Sequence, residues 1–190
     1  MASTPHKILF ICSGNTCRSP LAVAAWQAFA PPGLNAAQVR PQQPQPPVDV
    51  SSAGLSATDG MRASLYAIES AKLWGVDLSA HRARLARPEM ARDADLICAM
   101  TEEQVYTVRA RFMVDADKVC LLGSFALGTP DAIDDKVMPL LQRSGLADDV
   151  EESAEILDPF GGSIEAYQAC ALQIRRAILG LITALHAGRL

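Results

Sequence analysis

No aspartate or glutamate appears in the sequence before Asp49, whereas the segment from Asp115 to Asp158 contains eleven acidic residues. The formal net charge of the chain is −4, which argues against nucleic acid or an anionic membrane surface as a partner. The N-terminal third, which includes the acid-free stretch before Asp49, is therefore the expected place for an anionic ligand.

The sequence also lacks an apolar run of bilayer length. Residues 1–7 do not show the basic-then-apolar pattern of a signal peptide, and the apolar run at 8–12 is too short to supply one. The five cysteines are odd in number and lie in apolar segments, which favours reduced thiols over a disulfide framework. We expect a cytoplasmic protein with no membrane partner.

The chain of 190 residues, of which 49% are hydrophobic, is long enough for one domain with a substantial core. We therefore predict a single domain over residues 1–190. Two segments have the composition of surface insertions: residues 31–47, rich in proline and glutamine, and residues 123–155, rich in acids. Within the second, residues 138–146 are compatible with a short helix.

Between these segments, short apolar runs alternate with longer amphipathic ones. The runs predict strands at residues 8–11, 48–52, 95–100 and 118–122, and helices at 21–30, 61–74, 102–112 and 164–186, with a short helix starting at Pro88. Gly75 is expected to end the second helix, and Thr101 to cap the fourth. Repeated strand-then-helix order predicts an α/β fold with a four-stranded parallel sheet and helices on both faces, in which ligands bind at the carboxyl ends of the strands.

The stretch from Cys12 to Pro20 follows the first predicted strand and leads into the first predicted helix, with Ser19 as the expected cap and Pro20 in the first turn. The backbone N–H groups of such a loop and the positive end of the helix converge on one point, which makes an anion site. One tight loop brings the thiol of Cys12 and the guanidinium of Arg18 to the same anion, and this pairing suits a phosphate.

A positive environment stabilises a thiolate, so Cys12 is a candidate nucleophile toward phosphorus. Ser19 is placed to donate a hydrogen bond to the sulfur, and Asn15 is expected to brace the loop by bonding its backbone. The loop lacks the Gly-Lys-[Ser/Thr] of a nucleotide-binding P-loop, and Cys12 and Cys17 do not have Cys-x-x-Cys spacing. His6, His81 and His186 form no metal-ligand pattern, so we expect neither cofactor nor metal.

Cleavage of a phosphoester or phosphoramidate also needs a proton for the leaving group. Asp158 lies in an Asp-Pro loop before the last predicted helix and is a candidate general acid and base. Spacing alone leaves a second interpretation open, in which Asp158 only caps that helix.

The loop from Cys12 to Pro20 resembles the signature loop of the low-molecular-weight protein tyrosine phosphatase family, and Asp158-Pro159-Phe160 resembles its general-acid loop. The segments 52–54, 77–84 and 95–100 also have counterparts there. The resemblance implies a flavodoxin-like fold that acts on a phosphorylated protein without a metal, with Cys12 as nucleophile, Arg18 as phosphate ligand and Asp158 as acid and base. It also implies a substrate-binding surface composed of Ser13, Gly14, Asn15, Thr16, Cys17, Ser19 and Phe160. Finally, it implies that Ser52 and His81 support Asn15.

Within that family the sequence leaves phosphotyrosine and phosphoarginine open. Thr16 resembles the bacterial protein arginine phosphatases, which carry Thr at this position, whereas most members of the family carry Ile. The run from Asp158 to Tyr167 is also more similar to those enzymes. A threonine hydroxyl with a smaller apolar contact favours a planar polar guanidine over a phenyl ring.

Two other functions share this loop. A thiol-dependent arsenate reductase needs further redox cysteines on a mobile segment, but Cys98 and Cys120 lie in predicted strands. A phosphate-binding module without turnover has no use for an acid at Asp158. A separate hypothesis concerns regulation: Cys17 is near enough in sequence to form a reversible disulfide with Cys12.

Overall fold

The computed structural model describes residues 7–31, 34, 48–126 and 154–189. Its strands are β1 (Lys7–Cys12), β2 (Asp49–Gly54), β3 (Leu96–Ala99) and β4 (Val119–Leu121). Its helices are α1 (Arg18–Phe29), α2 (Leu65–Lys72), α3 (Pro88–Asp93), α4 (Glu102–Phe112) and α5 (Ile164–His186). Two short 3-10 segments, Ala116–Lys118 and Leu122–Ala126, flank β4.

The four strands form one parallel sheet in the order β2-β1-β3-β4. Because β1 lies in the interior of the sheet, its carboxyl end is enclosed by both neighbours: Cys12 pairs with Gly54 of β2, and Ile11 pairs with Ala99 of β3. The predicted four-stranded parallel sheet of a flavodoxin-like fold is confirmed.

Alternate side chains of β1 enter two separate cores. Phe10 and Cys12 belong to the larger core, with Trp26 of α1 and Ile174 of α5. Leu9 and Ile11 face the smaller core, which α3 and α4 cover. Helices therefore lie on both faces of the sheet, as the strand-then-helix order predicts.

Helix α5 is the longest and packs mainly on the 3-10 segment Leu122–Ala126 and on α1. Gly180 is required at the first contact, because a Cβ there would lie 1.9 Å from the carbonyl oxygen of Phe125. By length and apolarity α5 could cross a bilayer, but 61% of its most apolar window is buried inside the protein, which is the burial of a core helix.

Helix α1 begins at Arg18, three residues before the predicted start at Leu21. The prediction that Ser19 caps the helix is wrong, because Ser19 lies in the first turn and the N-cap residue is Cys17, which makes no side-chain cap hydrogen bond. The Ser19 hydroxyl instead contacts the thiol of Cys12.

Helix α2 runs over Leu65–Lys72 rather than the predicted 61–74. Residues 61–64 lie outside the helix, and Arg62 pairs instead in an isolated antiparallel bridge with Arg82. Ser64 then caps the helix by accepting a hydrogen bond from the N–H of Ala67. The apolar spacing misled the prediction, because Leu65 and Leu73 are 78% and 70% exposed.

The predicted bounds of the two helices α4 and α5 are confirmed, and Thr101 caps α4 as predicted. The predicted insertion at 123–155 begins too early, because residues 122–126 pack on α5 and Gly123 is buried. Most of the predicted insertion at 31–47, and residues 127–153 with the predicted helix at 138–146, lie outside the described residues.

Candidate active site

A cavity of about 230 Å³ opens at the carboxyl end of β1. Beneath it lies the phosphate loop, residues 12–18, which connects Cys12 at the end of β1 to Arg18 at the start of α1. Above it lies the acid loop, residues 156–160. The lining residues are Cys12, Ser13, Gly14, Thr16, Cys17, Arg18, Ser56, Asp158 and Phe160.

The thiol of Cys12 is buried and surrounded by hydrogen-bond donors. The backbone N–H of Asn15 donates to Sγ at 3.2 Å, and Ser19 Oγ lies 3.0 Å from Sγ. The N–H of Asn15 and the hydroxyl of Ser19 can both donate hydrogen bonds to a thiolate and hold it in one position at the floor of the cavity. Ser19 thus contacts the sulfur as the sequence suggested.

Asn15 is fully buried and adopts a left-handed backbone conformation, with φ 54°, which Asn tolerates better than most residues. Its Nδ2 donates to Ser19 Oγ and to Ser52 Oγ, each at 2.9 Å, and its Oδ1 accepts from the N–H of Arg84 at 2.8 Å. His81 Nε2 lies 2.8 Å from the Asn15 carbonyl oxygen. The Asn15 side chain therefore braces the loop through neighbouring segments and not, as the sequence suggested, through the loop's own backbone.

His81 is part-buried beside this brace. Burial lowers the pKa of His81, and the nearby Arg84 and Arg82 lower it further, although the hydrogen bond to Asn15 opposes the shift. A neutral imidazole satisfies the Asn15 carbonyl when Nε2 carries the proton.

Arg18 is 3% exposed and has its guanidinium in the cavity wall. One terminal nitrogen donates to the carbonyl oxygen of Ile156 at 3.3 Å; the other donates to Ser13 Oγ at 3.4 Å and forms an ion pair with Asp158 Oδ2. Its Nε is buried and has no hydrogen-bond partner among the described residues. A bound oxyanion would supply the missing acceptor.

Asp158 is the carboxylate of the acid loop, and its side chain is 45% exposed. Besides the ion pair with Arg18, its Oδ1 accepts from the N–H of Phe160 at 3.2 Å. The interpretation of Asp158 as a helix cap is wrong, because α5 is preceded by Ser163 at the N-cap position. The carboxyl group instead lies at the cavity mouth opposite the phosphate loop.

Cys17 and Thr16 occupy the side of the cavity nearest α2 and α5. The thiol of Cys17 lies 3.3 Å from the hydroxyl of Tyr167 and 3.5 Å from Ser64 Oγ, and Thr16 Oγ1 is 3.5 Å from the same sulfur. Burial, with a contribution from the hydrogen bond to Cys17, raises the pKa of Tyr167 to about 12, so the hydroxyl is protonated at neutral pH.

The remaining candidate redox cysteines lie away from the cavity. Cys98 and Cys120 face each other on β3 and β4 with their sulfurs 3.6 Å apart. The hydrogen bond with Cys120, together with burial, raises the pKa of Cys98, which keeps that thiol protonated. Both therefore belong to the sheet, as predicted for strand residues.

Sequence reasoning missed three residues that shape the site. Gly54 lies against the phosphate loop, where a Cβ would be 2.6 Å from the Ser13 carbonyl oxygen. Ser56 lines the cavity and donates its N–H to that same carbonyl at 2.9 Å. Gln104 donates to Ser13 Oγ at 3.2 Å. Only Gly54 carried a signal, as a glycine at the end of a predicted strand.

Within the described ranges, no group of three or more His, Cys, Asp or Glu side chains is arranged to hold a metal ion. The arrangement at the cavity is instead a thiol held by donors, a buried guanidinium and a carboxyl group at the mouth, which can bind a phosphoryl group and exchange a proton with what leaves it.

Comparison with known proteins agrees with this chemistry. Residues 7–135 match the profile of the family described as low molecular weight phosphotyrosine protein phosphatase. A protein-arginine-phosphatase of Geobacillus stearothermophilus is 32% identical over 174 residues, covering 92% of each chain. A probable low molecular weight protein-tyrosine-phosphatase, EpsP of Ralstonia nicotianae, is 27% identical over 171 residues, covering 90% of each.

Among solved structures, the YwlE arginine phosphatase of Geobacillus stearothermophilus superimposes with a TM-score of 0.69 at 30% identity, covering 97% of this chain and 96% of that one. A cysteine-to-serine variant of YwlE arginine phosphatase, with a phosphorylated active-site serine, gives a TM-score of 0.72 at 28% identity, covering 96% of this chain and 97% of that one. The serine that carries phosphate in that variant is consistent with a phosphocysteine intermediate. The present chain thus belongs to the low molecular weight phosphotyrosine protein phosphatase family, and it is a cysteine-dependent hydrolase of phosphorylated protein side chains.

Proposed function

We propose that this protein is a protein-arginine phosphatase and that Cys12, Arg18 and Asp158 carry its reaction. The observation that carries the choice of substrate is Thr16 in the cavity wall, where it presents a hydroxyl and only one methyl group. Arginine phosphatases of Geobacillus stearothermophilus and Bacillus subtilis, 32% and 30% identical over 92% and 85% of this chain, support the same choice.

In the first step the phosphoryl oxygens replace the Asp158 carboxylate as partners of Arg18, whose unpartnered Nε then gains an acceptor. The Cys12 thiolate attacks phosphorus, the P–S bond forms and the P–N bond to the substrate breaks. Asp158, once released from Arg18, takes up a proton from solvent and gives it to the leaving guanidine nitrogen, so that arginine departs as a guanidinium cation.

In the second step the Asp158 carboxylate takes a proton from a water molecule that attacks phosphorus. The P–O bond forms, the P–S bond breaks, and inorganic phosphate and the Cys12 thiolate result. Ser19, 3.0 Å from the sulfur, stabilises the thiolate as it leaves.

The position of Phe160 favours a leaving group that is planar and cationic. Its ring lines the cavity and is 76% exposed, next to the carboxyl group that protonates the leaving atom. A guanidinium group stacks well on an aromatic face. An arginine leaving group would therefore fit between Phe160 and the hydroxyl of Thr16.

Steady-state rates on phosphoarginine and phosphotyrosine peptides test the proposal. We expect the wild-type protein to prefer phosphoarginine and Thr16→Ile to shift the ratio of the two kcat/KM values toward phosphotyrosine by about tenfold or more, a change of about 1.4 kcal/mol. Thr16→Val, which keeps the shape and loses the hydroxyl, separates polarity from size. Cys12→Ser serves as the inactive control. An unchanged ratio in Thr16→Ile would remove the argument for arginine.

Phosphotyrosine is the second candidate, favoured by the tyrosine phosphatases among the relatives and by the apolar Phe160 at the mouth. A wild-type preference for the phosphotyrosine peptide would select it. In either case we propose a single cytoplasmic domain that acts on phosphorylated proteins, with neither nucleic acid nor membrane as a partner, because the thiol of Cys12 must stay reduced and the chain carries a net charge of −4.

A further inference from the structure

Gln104 lies on α4, outside both loops of the site, yet it is one of six buried polar or charged side chains among the described residues, at 6% exposure. Its Oε1 accepts from the backbone N–H of Met100 at 3.1 Å, and its Nε2 donates to Ser13 Oγ at 3.2 Å. Because a backbone N–H can only donate, the Met100 contact fixes the amide with its oxygen toward Met100 and its NH₂ group toward Ser13.

Ser13 therefore receives two donors. Gln104 Nε2 and a terminal nitrogen of Arg18 both point at its hydroxyl oxygen, at 3.2 and 3.4 Å. A serine hydroxyl has two acceptor lone pairs and one proton. With both lone pairs occupied by groups that cannot accept, the proton of Ser13 must point to a third group.

The third group lies in the cavity. Ser13 is exposed and lines the cavity together with Cys12 and Arg18, so its remaining direction faces the space that a phosphoryl group occupies above the thiol. We infer that Gln104 is a positioning residue for phosphate binding: by donating to Ser13 it directs the Ser13 proton into the cavity, where that proton bonds a phosphoryl oxygen. The inference rests on the proposed role of the phosphate loop.

The same residues connect the two loops of the site. Met100, which orients Gln104, accepts from the N–H of Ile156 at 2.9 Å, and the carbonyl oxygen of Ile156 accepts from Arg18. Gln104 thus lies in a closed ring of hydrogen bonds that includes the start of the acid loop and the guanidinium of Arg18. A change at Gln104 acts on phosphate binding through Ser13, and on the start of the acid loop through Met100.

Gln104→Glu gives the sharpest test. The carboxylate still accepts from Met100, but it replaces the donor that faces Ser13 with an acceptor, so the Ser13 proton turns away from the cavity. We expect the inhibition constant of inorganic phosphate and the KM for p-nitrophenyl phosphate to rise about 3- to 10-fold, the worth of one hydrogen bond. Ser13→Ala should give a similar rise. Glu103→Gln, an exposed change on the same helix turn, should leave both constants unchanged.

The double variant decides whether Gln104 acts through Ser13. We expect Ser13→Ala with Gln104→Glu to bind phosphate no worse than Ser13→Ala alone, whereas a direct charge effect on Arg18 or a packing defect would weaken binding again in the double variant. Thermal unfolding of each variant checks that the fold is retained, and Gln104→Met, which keeps the volume without either hydrogen bond, replaces Gln104→Glu if that variant does not fold.

An additive loss in the double variant, or an unchanged phosphate constant in Ser13→Ala, would overturn the inference while leaving the phosphatase activity in place. A wild-type protein that binds no phosphate and hydrolyses neither p-nitrophenyl phosphate nor a phosphoarginine peptide would instead overturn the proposed function. The two failures are therefore distinguishable.

Discussion

The phosphate loop and the acid loop face each other across one cavity, but they are held very differently. In the phosphate loop Cys12, Asn15 and Arg18 are at most 3% exposed, and Asn15 alone is tied to Ser52, His81 and Arg84. In the acid loop the side chain of Asp158 is 45% exposed and Phe160 is 76% exposed. The side chains of the phosphate loop are thus held firmly by the fold, whereas those of the acid loop are only lightly held.

The ion pair between Arg18 and Asp158 links the two loops. In the proposed mechanism a phosphoryl group takes the place of the carboxylate on that nitrogen of Arg18, so we expect substrate binding to release Asp158 toward the leaving group. We therefore expect substrate binding at the phosphate loop to release the acid loop. This comparison predicts that changes in the acid loop alter activity without altering stability, and that changes in the phosphate loop alter both.

Asp158→Asn should have the largest effect. We expect kcat on a phosphopeptide to fall about 10²- to 10⁴-fold, because the leaving group loses its proton donor. The fall should be smaller on p-nitrophenyl phosphate, whose leaving group departs without a proton. Phosphate should inhibit the variant more strongly than the wild type, because the competing carboxylate charge beside Arg18 is gone.

The thermal unfolding midpoint of Asp158→Asn should stay close to the wild-type value. Asp77→Asn is the matched control, since Asp77 is another exposed carboxylate that accepts a backbone hydrogen bond. Equal losses of kcat on both substrates would show that Asp158 does not act as the acid.

Asn15→Ala should have the next largest effect, and on both properties. The variant loses hydrogen bonds to Ser19, Ser52 and Arg84 and places alanine at φ 54°. We expect the free energy of unfolding to fall by about 3 kcal/mol and kcat/KM by about 10- to 100-fold, measured by chemical denaturation and steady-state kinetics.

Asn15→Gly separates the two causes. Glycine adopts the left-handed conformation readily but makes none of the side-chain hydrogen bonds. Asn15→Gly should therefore lose as much activity as Asn15→Ala, but its free energy of unfolding should fall by about 1 kcal/mol less. Wild-type activity in a destabilised Asn15→Ala would mean that the brace serves the fold alone.

Phe160→Ala should have a smaller effect, confined to activity. Because the ring is exposed, the free energy of unfolding should change by less than about 0.5 kcal/mol. Loss of the stacking surface should lower kcat/KM on the preferred phosphopeptide about 3- to 10-fold and leave phosphate inhibition unchanged. Tyr106→Ala removes an equally exposed ring, 75% exposed on α4, and should change neither quantity. A weakened phosphate inhibition in Phe160→Ala would place the ring in phosphate binding.

Local signals made much of this molecule predictable. The strand, loop and helix around Cys12 lie within about twenty residues of sequence. Thr101 marks the start of α4, because its hydroxyl accepts a hydrogen bond from the N–H of Gln104, only three residues later. Helix α2 was less predictable because its apolar spacing includes Leu65 and Leu73, which are exposed. Periodicity reports a possible buried face, and only tertiary packing decides whether the face is covered.

The second layer of the site depends on contacts between distant residues. Ser13 and Gln104 are 91 positions apart, and Cys17 and Tyr167 are 150 positions apart. No spacing rule connects such pairs, since the fold alone brings them together. The resemblance to a known family supplied Ser52 and His81 as supports of Asn15, but Gln104 carried no motif and emerged only from the hydrogen bonds of the structure.

His81 gives the smallest expected effect and tests whether the brace of the phosphate loop responds to pH. Burial lowers the pKa of folded His81 below the value of about 6.5 in an unfolded chain. Between these two pKa values the unfolded chain binds more protons, so the contribution of His81 to stability is present above pH 6.5 and is lost as the pH falls through the folded pKa. We expect the unfolding midpoint to decrease from pH 7.5 to 5.5 and His81→Gln, which keeps a donor for the Asn15 carbonyl, to reduce that decrease. Equal slopes in the two proteins would show that His81 titrates alike in both states, and that the phosphate loop is rigid without depending on a neutral imidazole.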